Sequence, residues 1–260
     1  MKEKIISILM IIVGFFLLSI LVINELPRLQ DYSKARKLYT KIEKEYTEPS
    51  KRKGTETPLN DNDSSGDLDS DFDCIEVDST KLLLKNTDYI GWIYVPKTKI
   101  SYPVVKSVDN RDYLHSNFYG QYSFPGTIFL DARCNGDIMK DHTILYGHNM
   151  TDGSMFADLK KFYNSEFTKE HPVFWFITPE QNLLYKIFSV CQSDPSDEVQ
   201  FGVSYADEMH FIKDMEALKN RSLIKIDIDV EKGDRVMTLS TCNNDRVSRC
   251  TVNGILIGSF

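Results

Sequence analysis

The sequence predicts a mainly β domain, a closed barrel or a sandwich with added helices, tethered behind one N-terminal membrane-spanning helix. Three observations predict it. An uncharged, almost wholly apolar run extends from Ile5 to Ile23, roughly the 20 residues that a helix needs to cross a bilayer. A polar, acidic stretch poor in large apolar residues follows. Beyond it, short β-branched or aromatic runs recur between turn formers to the C-terminus, the pattern of a many-stranded single domain.

The chain has 260 residues, 42% of them hydrophobic, enough for one well-cored domain plus extras. At the N-terminus, a signal peptide would have a shorter apolar core and a small-residue cleavage site. Asn24-Glu25-Leu26-Pro27 follows instead, so a retained anchor is expected. Lys2 and Lys4 precede it, and the positive-inside rule places the N-terminus in the cytoplasm and the remainder outside.

Leu29 to Tyr46 reads as a polar helix or stalk without a wide apolar face. Thr47 to Asp73, rich in Pro, Ser, Asn, Asp and Lys, reads as a flexible linker. Within it, Asp61, Asp63, Ser65 and Gly66 open like a calcium loop, but Phe72 stands where the bidentate acid belongs. A solvated acidic linker is the reading taken. The expected division is therefore 1-27 for cytoplasmic tip and anchor, 28-79 for stalk and linker, and 80-260 for the β-rich folded domain. Residues 1 to about 75 carry no catalytic group and are expected to be dispensable for catalysis.

Strands are expected at Tyr89 to Val95, Ile100 to Val105, Thr127 to Leu130, His142 to Tyr146, Val173 to Ile177, Leu183 to Val190, Leu223 to Val230, Arg235 to Thr241 and Thr251 to Ile257. Helical periodicity appears in Ser154 to Tyr163 and Tyr205 to Asn220.

The net charge is −7 and no basic stripe stands out, so nucleic acid is not an expected partner. The five cysteines are scattered, odd in number and without a C-x-x-C pair. That argues against a zinc site and a disulfide framework; no metal and no cofactor is expected. For Cys74, Cys134, Cys191 and Cys250 a small structural hydrophobe is the reading. Cys242 differs: it ends a predicted strand at Thr238-Leu239-Ser240-Thr241-Cys242 and faces the turn formers Asn243-Asn244-Asp245. All five histidines precede it, which excludes a cysteine-first papain order and leaves a His-then-Cys arrangement. Tyr146-Gly147-His148-Asn149-Met150 also follows a strand and opens a loop, with a glycine that permits an unusual backbone beside the imidazole. His142, at the start of that strand, reads as a surface or cap residue.

TLSTC after YGHNM, with an arginine one short loop beyond the cysteine, resembles the sortase family, class B in particular. The resemblance runs from about Asp88 to the C-terminus. It includes Ile90-Gly91-Trp92-Ile93, Ile100 to Val105, Gly126 to Asp131 and Asp152-Gly153-Ser154-Met155-Phe156. The helix expected at Tyr205 to Asn220 falls where class B members carry one. The resemblance implies an eight-stranded β-barrel with added helices and a membrane-anchored transpeptidase on the outer face of a Gram-positive cell. It implies Cys242 as nucleophile, His148 as general acid and base, and an arginine on the oxyanion. Of Arg246 and Arg249, the latter opens the terminal strand, where the ladder would hold it toward Cys242, and is the residue expected. Tyr146, Asn149, Ser240 and Thr241 are candidate substrate contacts. The implied partners are secreted proteins with a C-terminal sorting signal and an amine from peptidoglycan, its precursor or a pilin. A pilin polymerase and an idle wall-peptide-binding barrel are the alternatives. Alternation along the last strand puts Arg249, Thr251 and Asn253 on one face, and Cys250 with Val252 in the core.

Overall fold

The structure, a computed structural model, describes residues 2–50, 72–245 and 247–260. The calcium-like stretch from Asp61 and the rival arginine Arg246 lie outside the described residues.

The chain begins with α1 (Lys2–Tyr46), which continues past Pro27 into the stalk segment. Its N-terminal part is long and apolar enough to cross a membrane by length and composition, with mean hydropathy 3.1 over its most apolar window. Two short strands, β1 (Thr47–Pro49) and β2 (Ile75–Val77), pair with each other. They are followed by α2 (Ser79–Lys85), β3 (Tyr89–Tyr94), β4 (Ser101–Lys106), β5 (Ile128–Leu130) and β6 (His142–Tyr146). A 3₁₀ turn at Ala157–Tyr163 leads to α3 (Ser165–Glu170), β7 (Val173–Ile177) and β8 (Asn182–Ser193). The chain closes with α4 (Glu198–Phe201), α5 (Glu208–Asn220), β9 (Val236–Cys242) and β10 (Arg249–Ser259).

The eight strands from β3 to β10 form a closed barrel in the order β10-β8-β7-β3-β4-β5-β6-β9. Closure leaves no exposed edge and explains why Leu223 to Val230 is not a strand. Both edges of β8 are already taken by β7 and β10. The segment donates one backbone hydrogen bond, Leu223 N–H to the Val190 carbonyl at 2.8 Å. Its alternation is used for packing, with Ile224 and Val230 buried.

The stalk helix also differs from expectation. Ala35, Tyr39, Ile42 and Tyr46 are buried, and their spacing puts them on one helical face. Tyr39, Ile42 and Tyr46 belong to the barrel's own hydrophobic cluster. The face was hidden in the sequence because two of its members are tyrosines, whose apolar rings pack while the hydroxyl finds a partner.

Most neighbours in the barrel are antiparallel, but β4 with β5 and β6 with β9 are parallel. A parallel pair needs a long crossover. The β4–β5 crossover, residues 107–127, folds back over one rim of the barrel, where Thr127 N–H reaches the Tyr113 carbonyl at 3.1 Å.

Candidate active site

Parallel neighbours deliver their C-terminal ends to the same rim. β6 and β9 are in register with Tyr146 opposite Ser240, and Gly147 N–H donates to the Ser240 carbonyl at 3.1 Å. His148 and Cys242 therefore each lie two residues beyond a shared rung. The antiparallel strand β10 begins there too, with Arg249 directly opposite Cys242. The three side chains line one cavity of about 370 Å³, together with Tyr146, Gly147, Ser240 and Thr241. Asn110, Leu114 and Thr127 contribute from the β4–β5 crossover, and Phe129, Pro195 and Phe201 complete the wall.

Cys242 is half-buried, whereas Cys134, Cys191 and Cys250 are buried. Burial raises the pKa of each of these three thiols, that of Cys250 to about 12, and a protonated thiol is a poor nucleophile. Cys250 sits with Val252 in the core, as alternation along the strand required. Cys74 is half-buried on the far side of the chain order, before the barrel begins.

Arg249 Nη1 donates to the Cys242 sulfur. The loop between them is tightly bonded. Asn243 N–H donates to the Ser248 carbonyl at 2.9 Å. The Asp245 carboxylate accepts from the Ser248 hydroxyl at 2.7 Å and from the amides of Ser248 and Val247, each at 2.9 Å. These bonds hold the Asp245 carboxyl below the usual carboxylate range. Tyr163 OH reaches Asn243 Oδ1 at 3.0 Å. A planar guanidinium held at a strand start is a pre-aimed donor for negative charge developing beside the thiol.

His148 donates from Nε2 to the Leu114 carbonyl at 2.9 Å. A carbonyl can only accept, so the neutral ring carries its proton on Nε2 and leaves Nδ1 as the basic nitrogen. Its ring stacks on His115 (centroids 5.4 Å apart, planes at 18°) and on Phe124 (6.0 Å, 18°). Burial lowers its pKa, and the nearby His115 and Arg249 act in the same direction against the Leu114 bond. The neutral imidazole, a competent base, is thus favoured near pH 7.

Gly147 serves close packing and not an unusual backbone. It is absent from the positive-φ glycines. A Cβ there would sit 2.4 Å from Ile128 Cδ1 and 2.8 Å from the Phe156 ring. Asn149 is not among the cavity-lining residues; it forms a bridge with Met155. Tyr146 lines the cavity with its hydroxyl committed to Asp131 Oδ2 at 2.9 Å. Ser240 Oγ and Thr241 Oγ1 are buried without a hydrogen-bond partner. Both residues line the cavity, on opposite faces of β9, and their hydroxyls are enclosed in its wall as unspent donors.

His142 is fully buried and not a surface or cap residue. Its strand lies between β5 and β9, so even the strand's first residue is inside. Nε2 meets Thr238 Oγ1 at 2.7 Å and Nδ1 meets Tyr205 OH at 3.0 Å. Burial lowers its pKa to about 4. Thr238 in turn donates to Asn253 Oδ1 at 2.6 Å, to which Gln200 also donates at 2.9 Å.

Sequence reasoning missed Leu114, His115 and Phe124. They lie on a loop and act through a carbonyl and ring faces, which leave no motif. The Pro125-Gly126 turn beside them was the available signal. Among the described residues no group of three or more His, Cys, Asp or Glu could hold a metal ion.

Residues 93–257 match the model of the sortase domain family. Sortase B of Listeria monocytogenes is 34% identical over 175 residues, which cover 66% of this chain and 71% of that protein. A B. anthracis sortase B structure superposes with a TM-score of 0.72 at 27% identity, covering 88% of this chain and 99% of that one. A Staphylococcus aureus sortase B–substrate complex gives 0.65 at 28% identity, covering 69% of this chain and 84% of that one.

Proposed function

The chain belongs to the sortase family, with sortase B as its relatives, and on that premise we propose that this cysteine transpeptidase joins secreted proteins to a cell-wall amine at the outer face of the membrane. The observation that carries the reading is the convergence of Cys242, His148 and Arg249 on one cavity.

His148 Nδ1 takes the Cys242 thiol proton, and the thiolate attacks the backbone carbonyl of the threonine in a sorting motif. Arg249 N–H groups donate hydrogen bonds to the developing oxyanion. The C–N bond breaks, the imidazolium protonates the leaving amine, and a thioacyl enzyme remains. An incoming amine then attacks the thioester, His148 takes its proton, and the Cys242 thiolate leaves. Ser240, Thr241 and Tyr146 form the wall along which the bound peptide lies. The S. aureus relative was solved as a substrate complex, which supports the same class of ligand here.

In this reading residues 1-27 are the cytoplasmic tip and anchor, 28-79 a stalk and linker whose first part docks on the barrel, and 80-260 the catalytic domain. Lys2 and Lys4 stay inside. The test is a set of quenched-fluorescence sorting peptides offered to the full chain in detergent micelles, with and without an added amine. Cleavage with an amine-dependent ligation product is expected. No turnover of any peptide, with a Cys242 unreactive toward a methanethiosulfonate, would favour the idle barrel.

A further inference from the structure

The stalk part of α1 grips the loop that holds His148. Asp31 Oδ2 accepts from the Phe124 amide at 2.7 Å. The Arg28 guanidinium lies 5.4 Å from the centre of the Phe124 ring, and the Tyr32 ring is 5.7 Å from it. Two turns on, Tyr39 OH donates to the Gly126 carbonyl at 2.6 Å and contacts Thr127 Oγ1 at 2.9 Å.

Phe124 and Gly126 are the two points at which the helix holds this loop, and each leads on to the histidine. The Phe124 ring stacks on both His148 and His115, and the Phe124 carbonyl accepts from His115 Nδ1 at 3.0 Å. Gly126 has φ +61° and lies against the Leu114 carbonyl, so close that a Cβ would stand 2.4 Å from that oxygen. The Leu114 carbonyl is the acceptor of the His148 Nε2 proton. Two independent paths thus run from one helix to one imidazole, through a stacked ring and through a carbonyl.

We propose that α1 from Arg28 to Tyr39 is a positioning clamp for catalysis, which fixes the ring face and the carbonyl that orient His148. The proposal rests on the reading of His148 as the acid and base. Its physical basis is that a proton-transfer group must be held close to its productive geometry, and small displacements cost large factors in rate. It replaces the expectation that residues 1 to about 75 are dispensable. The clamp begins about 7.5 Å along the helix from Ile23, at about 1.5 Å per residue, so the element that carries the apolar run also sets the histidine.

The test uses the full chain in vesicles, with Asp31→Ala, Asp31→Asn, Tyr39→Phe and His148→Ala. Asp31→Asn keeps an oxygen that can accept from the Phe124 amide. Asp31→Ala is expected to lower kcat about tenfold with KM within about twofold, and Asp31→Asn to stay within about twofold of the parent. The His148 Hε1 resonance, which senses the Phe124 ring, should shift in Asp31→Ala and return in Asp31→Asn. The rate of Cys242 modification by a methanethiosulfonate should stay unchanged. Tyr39→Phe removes the second path without removing the ring, and should lower kcat should Asp31→Ala fail to fold. Parental kcat in both Asp31→Ala and Tyr39→Phe, with His148→Ala inactive, overturns the clamp alone. Parental kcat in His148→Ala overturns the reading on which it rests.

Discussion

Arg249 stands opposite Cys242 across the β9–β10 ladder, and its Nη1 donates to the Cys242 sulfur. Strand pairing, and not a loop conformation, sets this relationship. An antiparallel ladder fixes which residues face each other, and the Asn243–Ser248 and Asp245–Ser248 bonds fix the turn that joins them.

Arg249→Lys keeps the charge and loses the planar fork. It is expected to lower kcat/KM by roughly two or more powers of ten, as removal of an oxyanion donor does. Arg246→Lys is expected to stay near the parent. Steady-state peptide cleavage compares them, and a larger loss at Arg246 would transfer the role to it.

Gly126→Ala should impair activity beyond its effect on stability. The residue has φ +61°, and its Cβ would press on the Leu114 carbonyl. The backbone cost alone is about 1 kcal/mol or more, and the displaced carbonyl is the acceptor for His148. The check is kcat against the melting midpoint. A variant that melts lower but turns over normally would show that Leu114 does not orient the imidazole.

The His148 imidazole should titrate below the ordinary histidine value near 6.5, because burial disfavours its charged form. The base therefore stays neutral, and the acid limb of kcat/KM lies below that value. Proton NMR of the ring across pH 4 to 8 gives the titration directly. A midpoint above 6.5 would contradict the assignment of burial as the dominant cause.

His142 should matter for stability and not for chemistry. Its pKa of about 4 in the folded state lies below the unfolded value near 6.5. Between these values the unfolded chain binds more protons, so stability rises with pH across the window and is lost on acidification. The loss approaches about 3 kcal/mol by pH 4. Denaturant unfolding at pH 7 and pH 4.5 should show this for the parent. The dependence should shrink in His142→Gln. Equal slopes in the two proteins would place the acid sensitivity elsewhere.

Much of the barrel was legible because its strands are short β-branched runs between turn formers. β6 and β7 have the expected bounds. β8 and β10 run longer than read, since residues such as Arg249 and Ser193 join the ladder through pairing with distant strands, which local pattern cannot show. Leu223 to Val230 has the right alternation but no free edge to pair with. The Cys242 and His148 positions were legible from two strand-end motifs. The loop that orients His148 was not, because any residue can supply the carbonyl that Leu114 provides. The packing face of α1 escaped because Tyr39 and Tyr46 scored as polar.

In the proposed mechanism Cys242 carries the acyl intermediate. Intact-protein and tryptic-peptide mass spectrometry, after brief incubation with a sorting peptide and no amine, tests it most directly. The expected result is one acyl adduct on the Cys242 peptide, its discharge by added amine, and neither adduct nor cleavage in Cys242→Ala. An adduct on Cys74, Cys134, Cys191 or Cys250, or cleavage retained by Cys242→Ala, would contradict it.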